Sequence, residues 1–195
     1  MAPSTSATTE AAVLAAALRV FAERTYDGTS VPLIAERAGV APGTLYRYWP
    51  GKEALANAVY RQAKQSFADY LSRGRAGEEI RDAAGLRAAF EAMWHNMTEF
   101  ARAEPEALRF LEHQQHAGYL DEESQELTRR VEALGVGLIE AGQRLGVFRR
   151  ADPGLLVAMV FGAYVGLSKT AQAGVPVKDP DLRDAGEALW GLLLA

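Results

Sequence analysis

Residues 30–49 read SVPLIAERAGVAPGTLYRYW: a helix, a tight turn and a second short helix. Ser30 has the side chain of an N-cap, and the helix it starts runs through Ala38 with Ile34 and Ala38 on the buried face. Gly39 stops that helix, because glycine enters the left-handed region without a steric penalty. Pro42 takes the first position of the next helix, where a missing N–H is harmless, and Pro50-Gly51 breaks the chain after Tyr48. At ~100° per residue, Leu45 and Trp49 fall on one side of this short helix. Gly43, Thr44 and Arg47 fall on the other, with Tyr46 and Tyr48 on the flanks. One face packs; the other is free.

Stability alone explains that free face poorly, since Gly43 lowers helix propensity and the two tyrosines leave apolar area in water. A duplex explains it better. Glycine allows close backbone approach, the Thr and Tyr hydroxyls donate to phosphate oxygens, and Arg47 reaches either a phosphate or the acceptor edge of guanine. Lys52 adds positive charge at the start of the next helix, where outward-pointing N–H groups also suit an anion. The competing reading is a helical hairpin whose aromatics merely cover their neighbours.

Outward from this stretch, helical spacing of apolar residues continues almost everywhere and no period-two alternation is sustained, so the fold class is all-α. The first helix spans about 8–24 with Leu14, Leu18 and Phe21 as its buried stripe. Further helices are expected at about 52–73, 83–103, 105–118, 121–145, 153–173 and 180–194. Asp152-Pro153 and Asp179-Pro180 each place a capping carboxylate before a first-position proline. The segment RGRAGEE at 73–79 is the best candidate for a boundary between halves.

Composition supports this outline. The 195 residues are 49% hydrophobic and 24% charged, as in a globular chain. There is no Cys, which removes disulfides and thiolate chemistry and fits a reducing compartment. The net charge of −4 excludes a uniformly basic coat, but its distribution is uneven. Residues 1–73 carry 8 basic and 6 acidic side chains, whereas 74–195 carry 13 and 19. The longest apolar run, about 155–167, falls short of the ~20 residues of a membrane span, and the opening MAPSTSATTE has no signal-peptide pattern. A cytoplasmic protein without a membrane partner is expected.

Residues 10–60, and especially LRVFAERTYDGTSVPLIAERAGVAPGTLYRYWPGKEAL, resemble the N-terminal domain of the TetR family of bacterial transcriptional regulators. The family's pattern is met by Phe21, Thr29, Ile34, Ala35, Ala38, Gly39, Val40, Gly43, Leu45, Tyr46, Tyr48, Lys52 and Leu55. The resemblance implies a three-helix helix-turn-helix DNA-binding domain at 1–52, a helical ligand-binding and dimerisation domain at 53–195, and a homodimer on a roughly palindromic operator in double-stranded DNA. It also implies that Thr44, Tyr46, Tyr48 and Lys52 grip phosphates while Pro42, Gly43 and Arg47 face base edges; Thr29 and Ser30 complete the DNA-facing set. Thr25 stands where the family commonly has Gly, and Ala41 and Gly51 replace frequent Ser or Thr caps. No Lys or Arg precedes Arg19, so few phosphate contacts and a shallow salt dependence are expected.

In the second half the residues stand alone. Phe90, Met93, Trp94, Met97 and Phe100 form an aromatic and thioether stripe at helical spacing, either core or the wall of a pocket for a small apolar or aromatic effector. Met93, Trp94, Met97, Phe110, His113, Phe161 and Tyr164 are the ligand-binding candidates. Glu112, His113, His116 and Asp121–Glu123 lie close enough in sequence for a metal site, but a solvated helix end explains them equally well, so no metal and no cofactor are assigned. No nucleophile elbow, phosphate loop or paired-carboxylate site is present, so the chain reads as a non-enzyme. Leu156, Val160, Gly162, Ala163 and Gly166, with Leu189, Trp190 and Leu193, are expected to form a four-helix dimer interface. The expected function is a repressor released from its operator by a small-molecule effector. The rivals are a helical protein-interaction module without sequence-specific DNA binding, and a small-molecule carrier.

Overall fold

The computed structural model describes residues 5–74, 79–113 and 116–195, without the side chains of 5–7, 113 and 117. In order, the helices are α1 (Thr5–Arg24), α2 (Val31–Ala38), α3 (Pro42–Tyr48), α4 (Lys52–Ser72), α5 (Ala83–Ala103), α6 (Pro105–His113), α7 (Glu122–Arg144), α8 (Pro153–Gln172) and α9 (Asp179–Leu193). A 3-10 turn at His116–Gly118 precedes α7. No strand occurs among the described residues, and the chain is all-α. Part of the expected boundary segment, residues 75–78, lies outside the described residues.

Two compact units divide the chain: Met1–Ser66 with Glu104–Thr128, and Phe67–Ala103 with Arg129–Ala195. Residues 53–66 and 104–128 therefore join the N-terminal helices, beyond the expected limit at 52.

In the first unit α1 packs on α2 and on α6. Its core holds Phe21, Ile34, Leu45, Leu55 and Phe110, all at most 1% exposed; each such side chain contributes about 1.5–3 kcal/mol on burial. The stripe of α1 is shifted from the expected one: Val13, Ala16, Ala17, Val20 and Phe21 are buried, while Leu14 and Leu18 are half-buried at its edge. Small alanines let α1 approach its neighbours, so the larger leucines flank the contact.

Ser30 caps α2 by accepting from the Leu33 amide at 3.4 Å, and Gly39 closes it at φ 68°. The expected helix at 105–118 is interrupted. His116 lies in the 3-10 turn, where its Nε2 donates to the Phe110 carbonyl at 2.9 Å.

Thr25, just after α1, adopts φ 62°, a left-handed conformation that a β-branched side chain rarely takes. The strain is worth about 1–3 kcal/mol, against about 0.5–1 kcal/mol of extra chain entropy for glycine. Thr25→Gly is accordingly expected to raise stability by about 1 kcal/mol in urea melts; an unchanged or lower midpoint would contradict the strain.

The second unit is built from residues 67–72 of α4, then α5, the later part of α7, α8 and α9. Phe100 sits at 5.0 Å from Phe67 and 5.4 Å from Tyr70, ring centre to ring centre. Phe148 packs against Trp190 at 5.0 Å and pairs through an isolated antiparallel bridge with Leu194. Asp152 caps α8 as expected, accepting from the Leu155 amide at 2.9 Å. At α9 the cap position belongs to Lys178 instead of Asp179: the Asp181 carboxylate accepts from the Lys178 amide at 2.8 Å, and Asp179 pairs with Arg102.

Among the described residues α8 alone is long and apolar enough to cross a membrane, at twenty residues, since the helix extends past the expected run at both ends. It is mostly unburied. Leu155 is 57% exposed and Met159 45%.

Candidate nucleic-acid interface

Two buried side chains set the orientation of α3. Leu45 is 1% exposed and Trp49, just past the helix, is 8% exposed. Anchoring these turns Pro42, Gly43, Tyr46 and Arg47 outward, with Thr44 and Tyr48 half-buried beside them. Tyr46 is 53% exposed, a large apolar ring held in solvent. The guanidinium of Arg47 lies 5.8 Å from the centre of the Tyr48 ring, and no carboxylate pairs with it among the described residues. Tyr48 in turn leans on Trp49 at 5.5 Å. A Cβ added at Gly43 would meet no atom within 4 Å. The fold therefore has no steric need for glycine there, although it costs about 1 kcal/mol of helix propensity.

Two residues of the expected DNA-facing set are placed otherwise. Thr29 is 4% exposed and its hydroxyl donates to the Thr25 carbonyl at 2.7 Å, so it holds the α1–α2 connection from inside. Lys52 is half-buried; its ammonium donates to the carbonyls of Tyr26 at 3.0 Å and Thr29 at 3.2 Å. It also lies 4.1 Å from the centre of the Tyr26 ring. Three attractions thus draw that charge onto the connection. Ser30 is exposed, its hydroxyl directed to the helix cap. Ala41 supplies no side-chain cap to α3, as its residue type predicts.

Behind the interface, within the same unit, an aromatic and amide network fixes residues 116–121. Tyr119 stacks on Tyr26 at 4.2 Å. Asn57, 2% exposed, donates to the Tyr119 carbonyl at 2.8 Å and accepts from the Asp121 amide at 2.9 Å. His116 is 9% exposed and sits against Tyr60 and Phe110 at 4.9 Å each. Because its Nε2 faces a carbonyl, that nitrogen carries the hydrogen, and Nδ1 accepts from the Tyr119 hydroxyl. Burial holds the imidazole below its ordinary range, and the Lys64 charge acts the same way.

The sign follows from the unfolded state binding the proton more readily. The stability contributed by neutral His116 is complete above about pH 6.5 and is lost as pH falls through the lower folded value. Going from pH 7.5 to 5.0 is expected to lower the denaturation midpoint more in the natural chain than in His116→Gln; equal losses would remove His116 from the account.

With both ring nitrogens engaged, His116 is not placed as a metal ligand, and no metal-holding group of three acidic or His side chains occurs among the described residues. The side chain of His113 lies outside the described residues. Of the other ligand-binding candidates, Trp94 and Tyr164 line one cavity of the second unit, of about 250 Å³, together with Thr98, Leu167, Ala171 and Leu182. Met97 is buried and Met93 half-buried outside its lining. Phe161 is half-buried 5.7 Å from Tyr164. Phe110 does not share their space: it belongs to the core of the first unit, 5.8 Å from Phe21.

The dimerisation set also divides. Leu156, Leu189 and Leu193, at 2%, 8% and 0% exposure, are core of their own chain, and half-buried Trp190 lies between Phe90 and Phe148. Gly162 and Gly166 are open, with Val160 and Ala163 half-buried. Leu155 and Met159, outside the expected set, are exposed in line with Gly162 and Gly166, at an i, i+4, i+7, i+11 spacing that the sequence already carries.

An all-α chain that presents an arginine- and tyrosine-bearing second helix of a helix-turn-helix belongs to the class of DNA-binding regulators. Comparison with known proteins gives the family. Residues 13–59 match the family described as bacterial regulatory proteins, tetR family, and residues 75–192 match the tetracyclin repressor-like C-terminal domain. The HTH-type transcriptional regulator RutR of Escherichia coli K12 is 31% identical over 179 residues, covering 89% of this chain and 80% of the relative. The HTH-type transcriptional repressor KstR2 of Rhodococcus jostii is 31% identical over 140 residues, 68% of this chain and 64% of that one. A solved TetR-family structure from Vibrio parahaemolyticus superposes with TM-score 0.75 at 28% identity, covering 96% of this chain and 99% of that one. The chain belongs to the tetR family of bacterial regulatory proteins.

Proposed function

We propose that the chain is a cytoplasmic homodimeric repressor that binds a roughly palindromic operator through α3 and leaves it when a small apolar or aromatic effector occupies the second unit. The observation that carries this reading is the outward set Gly43, Tyr46 and Arg47 on a helix anchored by Leu45 and Trp49. A second copy is the natural cover for the open face of Leu155, Met159, Gly162 and Gly166, since small residues let helices approach closely and paired modules double the DNA contact. Repression as the direction of control is supported by the similarity to KstR2, a transcriptional repressor.

Release requires differential affinity: a ligand that favours the DNA-incompetent state weakens operator binding by the ratio of its affinities for the two states. The test is fluorescence anisotropy on duplex from upstream of the chain's own gene, against scrambled duplex. Arg47→Ala is expected to cost about 1–3 kcal/mol on the cognate duplex and far less on scrambled DNA, whereas Tyr46→Phe weakens both about equally. Indifference of the natural chain to any duplex at low salt would instead favour the protein-interaction reading.

A further inference from the structure

We infer that His116 and Tyr119 are positioning residues for DNA recognition, holding the α1–α2 connection through Tyr26, and that a proton taken up by His116 releases this hold and weakens operator binding. The inference rests on the regulator reading above and adds to it a control that needs no effector.

The contacts run as one chain of neighbours inside the first unit. The His116 carbonyl accepts from the amides of Tyr119 at 3.1 Å and Leu120 at 3.3 Å, so one tight turn carries both the imidazole and the Tyr119 ring. Asn57 pins the main chain at Tyr119 and Asp121. What remains to be steered is the Tyr119 ring, and its hydroxyl is tethered to Nδ1 of His116. The ring lies on that of Tyr26 at 4.2 Å, with 17° between their planes. Tyr26 in turn organises the connection. Its carbonyl accepts from the Thr29 amide at 3.2 Å and from the Lys52 ammonium at 3.0 Å, and that ammonium also sits over its ring. Ser30, the cap of α2, follows directly, so a displaced Tyr26 disturbs the start of the helix pair that presents α3.

The neutral imidazole suits this place and the charged one does not. Nε2 already gives its hydrogen to the Phe110 carbonyl at 2.9 Å, so a further proton goes to Nδ1 and turns the acceptor of the Tyr119 hydroxyl into a donor. The hydroxyl must then point its hydrogen elsewhere, although Tyr119 is only 6% exposed. The surroundings compensate little. α4 brings the Tyr60 hydroxyl, bonded to Thr128 at 2.7 Å, and Lys64, whose charge opposes a second positive one. α6 brings the carbonyls of Phe110 and Leu111, and its charged residues Arg109 and Glu112 are half-buried and opposite in sign. Asp27 acts on both stacked tyrosines and Glu53 on Tyr26. An imidazolium is relieved by moving out to solvent with its turn, where Gly118 is already exposed, and the Tyr119 ring then loses its tether.

The sign is that of acid inactivation. Burial holds the imidazole below its ordinary range, whereas a released ring returns to about 6.5. Protons therefore favour the released state, by at most about ten-fold per protomer at pH 5.5.

Fluorescence anisotropy on the upstream duplex at pH 7.5 and 5.5, at constant ionic strength and where circular dichroism shows the chain folded, tests the switch. The natural chain is expected to lose affinity by about three- to ten-fold over this range. His116→Gln, whose amide still donates to Phe110 and accepts from Tyr119, is expected to match it at pH 7.5 and to stay flat. His95→Gln and His113→Gln, which remove the other histidines, are expected to keep the loss. Tyr119→Leu has neither hydroxyl nor stack and is expected to bind at pH 7.5 as weakly as the acidified natural chain. Hydrogen exchange reads the release without DNA: protection of the Thr29 amide, corrected for intrinsic exchange, is expected to fall at pH 5.5 in the natural chain and to hold in His116→Gln. A loss of affinity that His116→Gln shares or that His95→Gln or His113→Gln abolishes, full affinity in Tyr119→Leu, or Thr29 protection that is unchanged at pH 5.5 overturns the inference. Failure of the natural chain to bind any duplex at pH 7.5 overturns the regulator reading and the positioning role with it, whereas binding that ignores pH removes the switch alone.

Discussion

Asn57→Ala is expected to lower the free energy of unfolding by about 2–4 kcal/mol, because it strands two main-chain groups at once. The side chain bridges α4 to the segment before α7, giving a hydrogen to the Tyr119 carbonyl at 2.8 Å and accepting one from the Asp121 amide at 2.9 Å. At 2% exposure no solvent is at hand to replace it. Asn57→Asp should fare no better, since a carboxylate can still accept from Asp121 but faces the Tyr119 carbonyl with no hydrogen. Urea midpoints at constant m measure the effect. A loss under about 1 kcal/mol would mean that this bridge is replaceable.

Gly142→Ala is the second large effect, and its sign runs against propensity. In a helix interior the change ordinarily gains about 1 kcal/mol. Here the new methyl would stand 2.0, 2.5 and 2.6 Å from three atoms of the Phe148 ring. That ring is 1% exposed, held against Trp190, and its backbone is bridged to Leu194, so it has no simple path aside. Overpacking of this kind costs about 1–3 kcal/mol, and the immobility of the ring puts the expected loss near the upper end. Gly137, one and a half turns earlier in α7, is the control: nothing lies within 4 Å of an added Cβ there, and Gly137→Ala should gain about 0.5–1 kcal/mol. Melting curves for the two variants that move together would refute the steric account.

The helix-turn-helix was legible because its signals are local: a cap at Ser30, a left-handed glycine at 39, a proline at 42 and two anchors four residues apart. Where the reading went astray, the deciding contact was distant in sequence. Thr29 and Lys52 carry the residue types of phosphate contacts, yet Lys52 is drawn to carbonyls 26 and 23 residues away. Phe110 carries the same residue type as the aromatic stripe around Trp94, but its helix packs on α1. Leu156 reads as interface because α8 is apolar nearly all round, so periodicity could not say which of its leucines face inward; in α9 the stripe was legible, and Leu193 at 0% exposure shows that it is spent on its own chain. Thr25 shows the opposite case: its departure from glycine was visible in the sequence, while the φ of 62° that gives it an energetic meaning was not.

The open flank of α8 bears on how affinity is to be read. A protomer diluted to nanomolar concentrations keeps Leu155 and Met159 in water, and a second copy that covers them must first be recruited from solution. Under the homodimer proposal, titrations on operator then superimpose assembly on recognition: their midpoints drift with total protein and their slopes exceed one. Only when association is measured alongside does the number obtained belong to the duplex.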